Sequence, residues 1–306
     1  TQFLIRRTLQ VIPITLGIIT LIFSLIHLIP GDPAVQIAGE NARPQDILQI
    51  RHQLGLDKPL LTQYVNYVGG LLHGDLGRSF RTDTKVSTQI RQRYPATLEL
   101  AFGGMVVALL VAFPLGIASA IYRNSWIDNV ARFFALIGVS MPSFWFGPLL
   151  IILFAIQLPW FPVSGREAGF RSIVLPSLTM GLALSAILTR MIRVSLAEEL
   201  GQLYVTTARA KGVSRFKTVF VHALRNALIP VITIVGLQFG SLLTGAIITE
   251  QIFSWPGLGR LLIQSITSRD YPQVQASILV IALTYIIVNL LTDLVYGFID
   301  PRISYD

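Results

Sequence analysis

TLELAFGGMVVALLVAFPLGIASAI, running from Thr97 to Ile121, holds one charged residue, Glu99. A helix needs about 20 mostly apolar residues to cross a bilayer, because hydrocarbon offers no partner for an unpaired backbone group and the helix satisfies its own. No polar stripe recurs along the run at helical spacing, so the helix is apolar on every side, unlike one laid on a soluble core. The same reading applies to Thr8–Leu28, Phe133–Ile156, Val174–Val194, Leu228–Thr249 and Val274–Phe298. With 53% hydrophobic and only 13% charged residues, the chain has about half the charge of a soluble domain. The sequence therefore predicts an all-α polytopic membrane protein of about six transmembrane helices.

The first run follows Arg6 and Arg7, as a signal peptide would, but it is longer than a signal h-region and ends in the turn sequence Pro30-Gly31-Asp32-Pro33. It is read as a retained span. Three regions result: residues 1–30, an N-terminus and first helix; 31–96, an extracytoplasmic cap; and 97–306, a core of five spans with a long loop at 195–227. The cap segment is too polar to span yet too apolar to stay unfolded. Its run Leu60–Leu72 puts Tyr64, Val65, Val68, Leu71 and Leu72 within reach of one helical face. In the loop 195–227, Gly212 is placed to stop one short helix and Ser214 to cap the next, giving a helix–turn–helix.

Basic residues set the orientation. Long translocated segments escape the positive-inside rule, so the eight Lys and Arg of Gly31–Ala96 are set aside. Twelve of the others fall on the side of the N-terminus and four on the opposite side. Both termini and the loop 195–227 are thus expected in the cytoplasm. The formal net charge of +8 belongs to loops between apolar runs, which favours a membrane setting over nucleic acid.

Absences narrow the chemistry. None of Lys58, Lys85, Lys211 and Lys217 follows a glycine, so no P-loop exists to hold a nucleotide. There is no cysteine, and His27, His52, His73 and His222 are scattered, so no metal or cofactor is expected on this chain. No Gly-x-Ser-x-Gly elbow marks a membrane hydrolase. A secondary transporter would need its own coupling-ion site at mid-membrane, where ionisable residues here are sparse.

Several residues within the spans invite roles. Pro142, in Ser140-Met141-Pro142, shapes either a packing kink or a substrate path. Glu250, at the outer end of the fifth span, either lines a vestibule or is a hydrated interfacial residue. With Asn289, these form a candidate translocation path of Ser140, Pro142, Glu250 and Asn289. Charge at membrane depth is costly, so Asp293 is expected to pair with Arg190 or Arg193. Gly236, Gly240 and Thr244, widened by Ser241 and Gly245, predict close helix contact within the chain or with a partner.

The segment Thr207-Ala208-Arg209-Ala210-Lys211-Gly212, followed by His222-Ala223-Leu224-Arg225-Asn226-Ala227, resembles the cytoplasmic coupling loop of dipeptide/oligopeptide ABC importer permeases. The similarity covers nearly the whole chain. It includes His27 to Pro33, Leu54-Gly55-Leu56-Asp57-Lys58-Pro59, His73-Gly74-Asp75-Leu76-Gly77, Phe253 to Arg260, Arg269-Asp270-Tyr271-Pro272 and Asp300-Pro301-Arg302. The loop departs from the general importer pattern, which opens Glu-Ala-Ala; Thr206, Thr207 and Ala208 stand there. The resemblance implies a subunit of a bacterial or archaeal inner-membrane importer, assembled with a second homologous permease, two ABC ATPases that hold ATP and Mg, and an extracytoplasmic binding protein. It implies ATPase contact through Thr207, Ala208, Arg209, Ala210, Lys211, Gly212 and Arg215. Docking of the binding protein falls to the cap and to the loops Gln157–Ser172 and Gln251–Gln273, with Trp255, Pro256 and Tyr271 as candidate contacts. The implied cargo is di- or oligopeptide; glutathione, nickel chelates and haem are alternatives within the class.

Overall fold

The structure is a computed structural model that describes residues 2–28, 32–38, 42–53 and 55–299. Of the expected motifs, Ile29-Pro30-Gly31, Leu54 and the terminal Asp300-Pro301-Arg302 lie outside these residues. Regular structure among the described residues is helical, apart from one isolated bridge between Arg78 and Lys85. In chain order the helices are α1 (Gln2–Leu28), α2 (Pro33–Ala38), α3 (Pro44–Gln53), α4 (Leu60–Leu72), α5 (Val86–Ile121), α6 (Trp126–Ser140), α7 (Ser143–Leu150), α8 (Phe170–Leu200), α9 (Leu203–Ala210), α10 (Arg215–Lys217), α11 (Leu224–Ile252), α12 (Leu258–Thr267) and α13 (Tyr271–Ile299). Residues Ile151–Gln157 after α7 and Thr218–Ala223 before α11 wind as wider π-helix.

Five helical stretches, Arg7–Ser24, Val86–Ile121, Phe170–Leu200, Arg215–Ile252 and Tyr271–Val295, are long and apolar enough to cross a membrane. The remaining expected span, Phe133–Ile156, is not one straight helix. It breaks between α6 and α7 with a bend of 110°. Pro142 lacks an N–H and disfavours helical geometry in the residue before it. Met141 is accordingly extended (φ −85°, ψ 118°), and Pro142 caps the next helix.

The chain packs into two compact units, Thr1–Pro95 with Arg260–Thr284, and Ala96–Gly259 with Tyr285–Asp306; the sequence had divided it at residues 30 and 96. In the first unit, α4 lies along α1. Tyr64, Tyr67, Val68 and Leu71 pack around Ile19, Ile22 and Leu279, and the Thr20 and Tyr64 hydroxyls meet at 2.7 Å. The expected helix Leu60–Leu72 is present at those bounds, but Val65 and Leu72 turn outward and Tyr67 takes their place. Asp270 is buried and ties the turn before α13 to the 77–85 loop, accepting from the Ser79 hydroxyl and the Phe80 N–H.

The core of the second unit runs through α5, α8 and α11 and includes Leu100, Met105, Leu188, Ile192, Leu242 and Trp255. The α11–α13 crossing needs small residues. A Cβ at Gly236 would collide with Thr292, and one at Gly240 would come within 2.8 Å of the Tyr285 ring. The small-residue face is therefore consumed within the chain. Thr244 and Gly245 are not part of it, since both are exposed and a Cβ at Gly245 meets open space.

Candidate functional site

Between α8 and α11 the chain makes the hairpin that Gly212 and Ser214 foretold. Gly212 takes the left-handed conformation (φ +79°) that L side chains resist. Its N–H bonds to Arg209 O at 3.0 Å, and Val213 N–H reaches back to Ala208 O at 3.1 Å. These two bonds satisfy carbonyls left open at the end of α9, in the double pattern typical of a glycine-terminated helix. Ser214 then accepts from Lys217 N–H at 3.4 Å and starts α10. The turn is thus closed from both sides by backbone chemistry.

The helix α9 has only eight residues, too few to persist alone in water. One side chain seats it. Val205 is 0% exposed and packs among Ala120, Leu196, Ala223 and Ala227, which belong to α5, α8, the π-helical stretch and α11. Tyr204 adds a polar latch, donating to the Glu199 carboxylate and accepting from Asn226 Nδ2 at 3.1 Å. Partial desolvation, then that donation to Glu199, push the Tyr204 phenol above its ordinary range.

Outward from this seat the hairpin is open. Thr206, Thr207, Arg209, Ala210, Lys211 and Gly212 are exposed, and Leu203 is 84% exposed. Phe216 is also exposed, stacked on Phe220 with ring centroids 4.6 Å apart. A cleft of about 590 Å³ opens beneath, lined by Arg123, Arg209 and Arg215 with Leu200 and Val213. The Arg215 guanidinium lies 6.0 Å from the Tyr122 ring centroid. Short apolar residues, exposed aromatics and cations together form a surface suited to an acidic protein partner. All seven candidate coupling residues, Thr207 to Gly212 and Arg215, fall on this one hairpin.

The expected ion pair is replaced by another. Arg193 gives Nε to Asp128 Oδ1 at 2.6 Å and a terminal nitrogen to Asp128 Oδ2 at 2.8 Å. Asp128 is fully buried at the start of α6, and Ser119 and the Asn124 N–H complete its shell at 2.5 and 3.0 Å. Antiparallel packing of α6 on α8 brings these groups together, which neither helix alone reveals. Asp293 is half-buried on α13 and has an interaction of its own, while Arg190 stays exposed on α8.

The outer-loop expectations also change. Trp255 is 0% exposed, and its indole N–H donates to Ala96 O at 2.8 Å. Tyr271 is buried as well, and only Pro256 of the three proposed docking residues keeps partial exposure. The aromatic residues that the loops do expose are Trp160 and Phe170. Glu250 lines no vestibule in this chain. It is fully buried, takes a hydrogen bond from Thr97 Oγ1 at 2.6 Å, and leaves no room for a side chain at Gly257. Thr97 Oγ1 in turn accepts from Leu258 N–H at 2.8 Å. Glu250 and Trp255 together fold the Phe253–Leu258 turn back onto α5.

The four candidate path residues are not gathered at one place. Ser140 and Pro142 are exposed at the α6–α7 break, Asn289 is half-buried against α11, and Glu250 is sealed. Beside the break lies a groove of about 270 Å³ lined by Met141, Met180, Gln238, Ser241, Gly245 and Thr249, and by none of those four. Gln238, Ser241 and Gly245 recur every three or four residues along α11, a polar line on an apolar helix that periodicity alone contains.

Comparison with known proteins follows the same lines. The family described as binding-protein-dependent transport system inner membrane component matches residues 112–305, and the N-terminal family of such membrane components matches residues 1–101. The chain is 44% identical over 335 residues to the dipeptide transport system permease protein DppB of Escherichia coli strain K12, with 99% of each chain covered. It is 44% identical over 304 residues to the glutathione transport system permease protein GsiC of Salmonella choleraesuis strain SC-B67, again with 99% of each covered. Among solved structures, a chain of the MetNI methionine ABC transporter in an inward-facing conformation matches with a TM-score of 0.60 at 16% identity, over 70% of this chain and 97% of that one. A chain of an amino acid ABC transporter determined with histidines matches with a TM-score of 0.52 at 18% identity, over 71% and 95%. At those identities the structural likeness concerns the fold.

Proposed function

Because this chain belongs to the family of binding-protein-dependent transport system inner membrane components, we propose that it is the permease subunit of an ATP-driven importer of di- or oligopeptides. The relatives named for dipeptide and glutathione transport support that cargo class, since both substrates are short peptides. A second permease subunit lies beside it in the inner membrane, two ATPases sit beneath, and an extracytoplasmic binding protein delivers the peptide. Both termini and the α9–α10 hairpin are cytoplasmic, in keeping with the distribution of basic residues. ATP and Mg are held by the ATPases.

The observation that carries this reading is the hairpin: a short helix, pinned inward by one buried valine and open everywhere else. Force applied to α9 by an ATPase passes through Val205 to Leu196 of α8 and Ala227 of α11. Those helices pack along each other through the unit's core, so they move as packed bodies when access switches sides. The Gln238–Ser241–Gly245 line on α11 forms a wall of the peptide path. Short peptides carry many amide and charged groups, and Gln238 and Ser241 supply matching polar atoms on an otherwise apolar wall.

Reconstitution tests the reading. Proteoliposomes holding both permeases should take up labelled dipeptide only when the ATPases, ATP and the binding protein are all supplied. Uptake by this chain without ATPases, driven by an ion gradient, would refute it in favour of a secondary transporter.

A further inference from the structure

A trough between α6 and α8 combines a basic mouth with an apolar floor. It has a volume of about 400 Å³. The helices run antiparallel, with Asp128 against Arg193 and Gly138 against Ala186, where a Cβ on the glycine would come within 2.9 Å of the alanine Cβ. Arg132, Arg190 and Arg193 therefore gather at one end of the trough, and Val139 and Ala186 lie toward the other. A second cavity of about 390 Å³, lined almost wholly by apolar side chains, shares Ala131, Ala135, Ala186 and Thr189 with the first and extends the floor.

The charges do not balance. Among the described residues, Asp128 is the carboxylate that meets these arginines, taken by Arg193 and standing 3.6 Å from Arg132. Arg190 has no ion pair or hydrogen bond among the described residues, though it lies within the spanning stretch Phe170–Leu200. Three guanidiniums against one carboxylate leave an excess of about two positive charges in a segment where lone charge is disfavoured. The adjoining wall is apolar and open, with Leu136 65% and Val139 59% exposed.

We propose that this trough binds an anionic phospholipid, its phosphate held by Arg190 and Arg132 and an acyl chain laid along Leu136, Val139 and the Ala135–Ala186 floor. A soluble anion has no use for the apolar wall. A partner helix would have to carry two carboxylates to membrane depth, which spanning helices avoid. An amphiphile with a negative head meets both requirements, as basic pockets between transmembrane helices do for acidic lipids. The site is independent of the cargo and needs only that the chain be in a bilayer.

Native mass spectrometry of the assembled importer, exchanged into nanodiscs of phosphatidylglycerol and phosphatidylcholine, tests the site. The wild type should retain phosphatidylglycerol in preference to phosphatidylcholine. Arg190→Gln should lower that preference about fivefold, the usual worth of one basic residue near an acidic lipid surface, and Arg190→Lys should restore most of it. Arg190 is exposed and makes no ion pair or hydrogen bond among the described residues, so its substitution leaves the thermal midpoint in lipid-free detergent unchanged and the lipid readout interpretable. Inorganic phosphate at millimolar concentration should not displace the lipid. Equal retention of both lipids by the wild type, full preference in Arg190→Gln, or displacement by phosphate each overturns the proposal. So does efficient cross-linking of a cysteine at Leu136 to the second permease, which would show that protein covers the trough.

Discussion

Replacing Val205 by alanine should loosen α9 without unfolding the protein. The side chain is wholly buried among Ala120, Leu196, Ala223 and Ala227, and it is the residue of α9 that is buried. Truncation removes two carbons, worth about 0.8 kcal/mol each by transfer, and leaves a small void among alanines too short to close it. The total is about 2 kcal/mol. Because eight residues do not hold a helix unaided, that loss falls directly on the balance between seated and unseated hairpin. At about 1.4 kcal/mol per decade, the unseated population rises roughly 30-fold. Hydrogen exchange reads this at the Gly212 and Val213 amides, whose bonds close the turn; both should exchange about 30-fold faster. In proteoliposomes the variant should hydrolyse more ATP per peptide imported. Leu203→Ala, on the exposed side of the same helix, should leave exchange unchanged. Wild-type exchange and an unchanged ATP-to-peptide ratio in Val205→Ala would refute the idea that one buried side chain seats the coupling helix.

Asp128→Asn or Arg193→Gln breaks a buried, bidentate pair and should destabilise by about 3–5 kcal/mol, seen as a lower thermal midpoint in detergent, with the double variant recovering part of the loss. Gly236→Leu should block folding of the chain through collision with Thr292, whereas Gly245→Ala, which enters open space, should keep the wild-type yield and midpoint. Thr97→Val leaves the Glu250 carboxylate without that donor and the Leu258 N–H without an acceptor, so a cost of about 2–4 kcal/mol is expected, and limited proteolysis should find the Phe253–Leu258 turn newly accessible.

The spans were legible because a bilayer imposes one strong condition, a long apolar run, that sequence displays directly. The hairpin was legible for a different reason: a glycine stop and a serine cap are local chemistry, settled within a few residues. What stayed hidden depends on tertiary contact. Asp128 follows Ser125 at the spacing of a helix cap, and its N–H does approach the serine hydroxyl at 3.5 Å, so nothing local marks it as the partner of Arg193, 65 residues away. Trp255 and Tyr271 stand in polar, proline- and glycine-bearing loops, where aromatics read as surface contacts; both loops fold inward and bury them. Glu250, at the end of a span, reads from sequence as a vestibule-lining or a hydrated interfacial residue, yet it is buried against Thr97. Pro142 reads from sequence as shaping a kink or a substrate path, but the 110° break is sharper than a kink, because proline both removes its own N–H and drives Met141 out of helical geometry.

Cysteine is absent from the chain, so one introduced thiol is the sole thiol that this chain offers. Ala210→Cys in the assembled importer, treated with a short bifunctional reagent in inside-out vesicles, tests the coupling surface most directly. The expected result is a cross-link from this chain to an ATPase subunit, altered in yield by ATP. Modification of the same thiol from the outer face of sealed right-side-out cells, with no cross-link to any ATPase, would contradict it.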